Sequence, residues 1–174
     1  MPEYLDLYYA DQQKTGQRIV RGEPIPDGCY IMLVSILTRR PDGKILITRR
    51  APEKKYAGRW EITGGCVQAG ESPCEGAVRE LREETGISAQ TADLVPCGTE
   101  MRKYFVHNFF LLDLQSDITA VSLQKGETDA AKWVYPAEYL AIYQQDQAVS
   151  HHIPLLMRHY PDIFSESKMQ RSMQ

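Results

Sequence analysis

Apolar positions fall into short runs set between turn residues, broken by one longer stretch at helical spacing. Tyr30-Ile31-Met32-Leu33-Val34-Ser35-Ile36-Leu37 is apolar at nearly every position, the mark of a strand covered on both faces and lying mid-sheet. Pro41-Asp42-Gly43-Lys44 turns it, with an Asp-Gly pair suited to positive φ, and Ile45–Arg50 returns as a hairpin partner. Upstream, Tyr4–Tyr8 and Gln17–Val20 flank the turn-rich Asp11–Gly16 and predict a second hairpin. The prolines and glycines of residues 22–28 mark a loop. Glu61-Ile62-Thr63 reads as a short strand delivering Gly64-Gly65. Leu94–Thr99 and Tyr104–Leu114 read as two strands around a turn, and Ile118–Leu123 as another. After a loop at Gln124–Asp129 comes a strand at Ala131–Val134. Pro136–Gln145 opens as a helix, with Pro136 near N1 and Glu138 in the first turn, and Ile153–Tyr160 is a second C-terminal helix. Mixed strands with few helices predict an α/β fold, a central mixed sheet with helices on both sides. The expected organisation is an N-terminal hairpin extension (1–28), one main domain (29–164) and a polar, frayed tail (165–174).

One helix carries start and stop signals of its own. Ser72 is placed as N-cap with Pro73 at N1, Glu75 completes a capping box, and Gly86 ends the helix. At about 100° per residue, Glu80, Glu83 and Glu84 share an arc of roughly 100°, while Val78, Leu81 and Thr85 turn toward a core. Glu80 and Glu84 form a like-charge i,i+4 pair, which costs a bare helix roughly 0.2–0.5 kcal/mol. A divalent cation reverses that sign. Mg2+ takes oxygen ligands, keeps several waters and completes its shell with phosphate. The plainer reading of three glutamates on one helix is a solvated acidic face.

Composition narrows the field. The chain has 174 residues, 43% apolar and 25% charged, enough for one domain with a real core. A net charge of −3 supplies no basic surface for a nucleic-acid polymer, yet is compatible with a small anion held through metal. Cys29, Cys66, Cys74 and Cys97 make no CxxC pair and no zinc spacing, so reduced thiols in a cytoplasmic protein are expected. Met1–Asp6 lacks a basic, apolar leader, and no apolar run approaches membrane-spanning length.

The stretch from Gly65 to Ile87 resembles the box of the Nudix hydrolase family, with Gly65, Glu71, Arg79, Glu80, Leu81, Glu83, Glu84, Gly86 and Ile87 at the box positions. The resemblance implies the family's α/β/α sandwich and a Mg2+-dependent hydrolase (Mn2+ as substitute) acting on a diphosphate linkage in a nucleoside-diphosphate-linked or related small molecule. A homodimer is compatible with it. The N-terminal segment is loosely similar to one in Nudix proteins related to isopentenyl-diphosphate isomerase. An isomerase of that kind needs metal-binding histidines upstream of the box, and the first histidine after the start is His107. A non-catalytic sensing module on the same fold usually loses box carboxylates, and all are present here.

By resemblance Glu80 and Glu84 are the metal ligands, with Gly64 offering a backbone group. Glu83 matches a position that is general base in some members. Arg79 flanks the site and pairs either with Glu71, locking loop to helix, or with Glu83 one turn on. Glu127, in a loop ahead of Trp133-Val134, stands where many members carry a further base or ligand; a solvated loop glutamate is the plainer reading. Arg49, Arg50, Lys54 and Arg59 are candidates for the substrate's phosphates. Tyr56, Trp60, Tyr104 and Phe105 are candidates for stacking on a base. Tyr104 lies near where diadenosine-polyphosphate hydrolases of the family carry a tyrosine. His107, in an apolar strand, reads as a satisfied core histidine.

Overall fold

The computed structural model describes residues 2–118, 120–150 and 152–164. The chain runs through β1 (Tyr4–Tyr8), β2 (Lys14–Val20), β3 (Ile31–Arg39), β4 (Ile45–Arg50), β5 (Trp60–Glu61) and β6 (Thr63–Cys66) to helix α1 (Pro73–Thr85). It continues through β7 (Leu94–Arg102), β8 (Phe105–Asp113) and β9 (Thr128–Val134). Three helices follow: α2 (Pro136–Gln144), α3 (His152–His159) and α4 (Pro161–Phe164).

Strand β3 is the hub, as its two-faced apolar pattern requires. One edge pairs in parallel with β8 from Ile31↔Phe105 to Arg39↔Asp113, and the other pairs antiparallel with β6 from Leu33↔Cys66 to Ile36↔Thr63. Strand β4 touches β3 only at their turn, Arg39↔Ile45, and pairs instead with β9 and β5. Strand β7 pairs with β8. Side chains alternate across the sheet. Val34, Ile36, Val106 and Phe110 meet Ala77 and Leu81 of α1 on one face. Leu37, Ile47 and Phe109 meet Tyr139, Leu156 and Phe164 of α2, α3 and α4 on the other. Helices therefore cover both faces. No helix of the described residues is long and apolar enough to cross a membrane.

The N-terminal hairpin forms its own two-stranded sheet. It is bolted on at three places. Leu5 and Leu7 are buried with Ile31 and Cys66. Tyr8 and Tyr30 exchange backbone hydrogen bonds at 2.8 and 2.9 Å, and the Ala69 N–H donates to the Tyr4 carbonyl at 2.8 Å. Asp6 accepts from Lys14 at 2.6 Å, Arg18 at 2.9 Å and the Gly70 N–H at 2.9 Å.

The strand expected over Ile118–Leu123 is not formed: Ile118 and residues 120–123 have no regular structure. The Ser122 N–H donates instead to the Thr85 carbonyl at 2.8 Å, satisfying a group that the end of α1 leaves unpaired. Strand β9 begins at Thr128, inside the expected loop. The expected tail, residues 165–174, lies outside the described residues.

Candidate active site

Helix α1 begins and ends where its caps dictate. The Ser72 hydroxyl accepts from the Glu75 N–H at 3.3 Å, and the Glu75 carboxylate accepts from the Ser72 N–H at 2.7 Å. Gly86 closes the helix at φ 72°, donating to the Arg82 carbonyl. Because Ala77, Leu81 and Thr85 are buried on the sheet, the neighbouring turns carry Glu80 and Glu84 inward too, at 8% and 7% exposure. The preceding loop makes room for them. A Cβ on Gly65 would lie 2.3 Å from the Glu80 carboxylate, and one on Gly64 would lie 2.5 Å from the Val34 carbonyl oxygen. Only glycine lets the strand pass this close.

Arg79 ties the loop to the helix. It donates to Glu71 at 2.7 and 3.0 Å, to Glu80 at 2.9 Å, to Glu83 at 3.0 Å and to the Cys66 carbonyl at 2.8 Å. Both alternatives for Arg79 are thus realised at once. Burial works against its charge, but the surrounding carboxylates outweigh that and raise its pKa. Glu71 also accepts from the Gln68 N–H at 2.9 Å, so its oxygens are committed to the loop.

The helix glutamates face a cavity of about 450 Å³ lined by Glu3, Glu80, Glu83, Glu84 and Glu127 against Arg21, Arg50 and Arg79. Gly64 belongs to the same wall. Burial pushes Glu84 well above the ordinary carboxylate range, and the charges of Glu61, Glu80 and Glu127 push further, with Arg50 opposing. Burial likewise raises Glu80, against the pull of Arg79. Glu84 Oε2 is buried without a hydrogen-bond partner. Acidic oxygen donors, an excess of negative charge and an unsatisfied buried carboxylate fit a hard divalent cation. The shell is not drawn closed: among the described residues no three His, Cys, Asp or Glu side chains are grouped as a metal cluster. Glu80 leans on Arg79, Glu61 on Arg50 at 2.5 Å, and Glu127 on Lys54.

The remaining candidates divide. Arg50 lines the cavity, but Arg49 turns away to Asp129 at 2.7 Å and lies over Trp60. Arg59 is elsewhere too, bound to Asp146 and to the Asp146 and Ala148 carbonyls, where it fastens its loop to the α2–α3 connection. Tyr104 sits in the β7–β8 turn under the Lys103 ammonium, off the cavity walls. Glu61 was not anticipated, although a glutamate immediately before Ile62-Thr63-Gly64-Gly65 was a usable signal. Nor was a second cavity of about 700 Å³ that shares Gly64 with the first, where Ser35, Tyr56, His107 and His152 sit beside Lys55 and Arg102. His107 Nε2 lies 2.8 Å from the Ser35 hydroxyl and its ring stacks on Phe109, as expected for a core histidine.

A family model described as NUDIX domain matches residues 30–158. CTP pyrophosphohydrolase of Escherichia coli is 35% identical over 113 residues, 63% of this chain and 79% of that protein. An uncharacterised Nudix hydrolase of Listeria monocytogenes is 26% identical over 145 residues, 80% of this chain and 84% of that protein. A crystal structure of a Deinococcus radiodurans protein matches at a TM-score of 0.74 and 25% identity, covering 91% of this chain and 99% of the other.

Proposed function

This chain belongs to the Nudix family, and from that premise we propose that it hydrolyses the diphosphate linkage of a small nucleotide-type substrate, with Mg2+ (or Mn2+) held by Glu80, Glu84 and a backbone oxygen of Gly64. Family members are hydrolases acting on diphosphate bonds, and this chain is a hydrolase of that class. The observation that carries the metal assignment is the buried, unpartnered Glu84 oxygen amid Glu61, Glu80 and Glu127. When bound, a divalent ion neutralises phosphate charge and lowers the pKa of coordinated water.

The chain's own residues do the rest. Arg79 fixes the ligand helix to the loop and holds Glu71 and Glu83 out of circulation. Glu127, on the turn before β9 and opposite the helix, accepts the attacking water's proton. Lys54, its ion-pair partner, is the candidate for a phosphate oxygen, while Arg50, on the cavity wall, is held by Glu61 and the Lys55 carbonyl. Nucleotides with a diphosphate linkage are the substrate class, with CTP, the substrate named for the E. coli relative, as first probe.

The test is hydrolysis of CTP to CMP and pyrophosphate, and of ADP-ribose to AMP and ribose 5-phosphate, followed by chromatography of the products with Mg2+ and with EDTA. Hydrolysis of at least one, abolished by EDTA and restored by Mg2+, is expected. Metal-independent turnover, or none with any diphosphate compound in a broader nucleotide panel, overturns the proposal.

A further inference from the structure

Three residues, Arg21, Arg50 and Gly64, line both cavities. A substrate with its diphosphate over the helix glutamates and its attached group in the second cavity has to pass between them. Gly64 has no side chain, and Arg50 is already spent on Glu61 and the Lys55 carbonyl, both at 2.5 Å. Arg21 is different. Its side chain makes one ion pair, Nη1 to Glu3 Oε2 at 2.8 Å, and among the described residues its other N–H donors have no partner. It stays 45% exposed at the edge of the cavity.

The backbone holds Arg21 in place. Its N–H donates to the Glu3 carbonyl at 2.8 Å, closing the open end of the hairpin directly after β2. Asp6 cross-links the two hairpin strands through Lys14 and Arg18, and it accepts from the Gly70 N–H while the Tyr4 carbonyl accepts from the Ala69 N–H, which ties the hairpin to the loop leading into α1. Position relative to the glutamates is therefore set by several backbone and charge contacts, not by a loose arm. Glu3 is an awkward partner, because its Oε1 is buried and unpaired and its charge adds to the acidic side of the cavity.

We propose that Arg21, brought in by the N-terminal hairpin, is a substrate-binding residue at the junction of the two cavities, where it exchanges Glu3 for a phosphate oxygen of the substrate. The inference rests on the diphosphatase reading above. It makes the hairpin a wall of the site and Glu3 a resident competitor for the anion. A guanidinium with unused donors beside a path for phosphate is the arrangement that bidentate recognition needs.

The experiment compares Arg21→Ala, Arg21→Lys and Glu3→Gln by steady-state hydrolysis of CTP and ADP-ribose and by calorimetric binding of α,β-methylene-CTP with Mg2+. Losing a charge-assisted contact corresponds to roughly a 10- to 100-fold rise in KM and Kd for Arg21→Ala. Turnover at saturation should change less than about threefold, since the contact is made in ground and transition states alike. Arg21→Lys should recover part of the loss, and Glu3→Gln should lower KM. A merely structural role would lower Tm and leave KM unchanged. An active wild type whose Arg21→Ala variant keeps KM and Kd overturns this inference alone. A wild type inert toward every diphosphate compound overturns the family reading, and this inference with it.

Discussion

Glu84 holds a conflict between stability and chemistry. Its carboxylate is buried, unpartnered at one oxygen and surrounded by other acids, which is costly without a cation. Glu84→Gln keeps the shape and removes the charge. In EDTA the variant should melt a few degrees above the wild type, a gain of about 1–2 kcal/mol. With Mg2+ its turnover should fall by about 100-fold or more, and Glu80→Gln should fall alike, because a metal ligand acts on the transition state. A Glu84→Gln enzyme that is both less stable in EDTA and fully active would remove Glu84 as a metal ligand. Proton acceptance separates the other two glutamates. Glu83 shares Arg79 with Glu71 and Glu80, whereas Glu127 has Lys54 and a turn of its own. Glu127→Gln is therefore expected to flatten the acidic limb of the pH–rate profile, and Glu83→Gln to lower the rate while keeping its shape. The reverse pattern would move the base to Glu83.

At the scale of elements, what was legible in the sequence was local. The caps of α1, its glutamate arc and the loop glycines lie within one contiguous stretch, and their spacing alone fixes their geometry. Strand β3 announced its central place because both its faces are apolar. The rest depended on partners far along the chain. Arg59 looked like a phosphate ligand because nothing near it in sequence revealed Asp146. Glu61 and Arg21 reach the site through strand pairing and hairpin docking, which periodicity does not encode. Ile118–Leu123 looked like a strand, but the open end of α1 claims the Ser122 N–H.

The hairpin offers an element-scale test. Burial opposes the charge of Asp6, but Lys14, the Gly70 N–H and Arg18 outweigh it and hold its pKa below the ordinary value. A depressed carboxylate stabilises fully above its unfolded pKa of about 3.9 and loses that contribution as pH falls through the folded value. Amide exchange in β1 and β2, read as protection factors, should therefore be pH-independent from about 7 to 5 and weaken below about 4. Asp6→Asn should show the weakened protection already at neutral pH, by about 1–3 kcal/mol. Equal protection in the two proteins would mean that the burial of Leu5 and Leu7 and the backbone hydrogen bonds to Tyr30 and Ala69 hold the hairpin without Asp6.

Across the whole molecule, charge is sorted rather than balanced. The sequence nets −3, yet the cavity under α1 is walled by more carboxylates than cations, while the second cavity gathers Arg21, Arg50, Lys55, Arg102 and Lys103 against Glu61. The buried clusters on the two faces of the sheet are mainly apolar, so the repulsion is concentrated at the cavity under α1. A cation that binds there binds the folded chain only, because the unfolded chain scatters Glu61, Glu80, Glu84 and Glu127. Its stabilisation follows mass action, about 2.7 kcal/mol at a free concentration 100 times Kd. For a domain of this size that is a rise in Tm of roughly 5–10 °C. Thermal melts in EDTA and in millimolar Mg2+ should differ by this amount at matched ionic strength. NaCl cannot mimic it, because general screening acts weakly on buried groups. Glu80→Gln and Glu84→Gln should each shrink the Mg2+ increment, whereas Asp6→Asn should leave it intact while lowering the starting Tm. Equal increments in all four proteins would place the ion away from α1 and detach the metal from the two glutamates assigned to it.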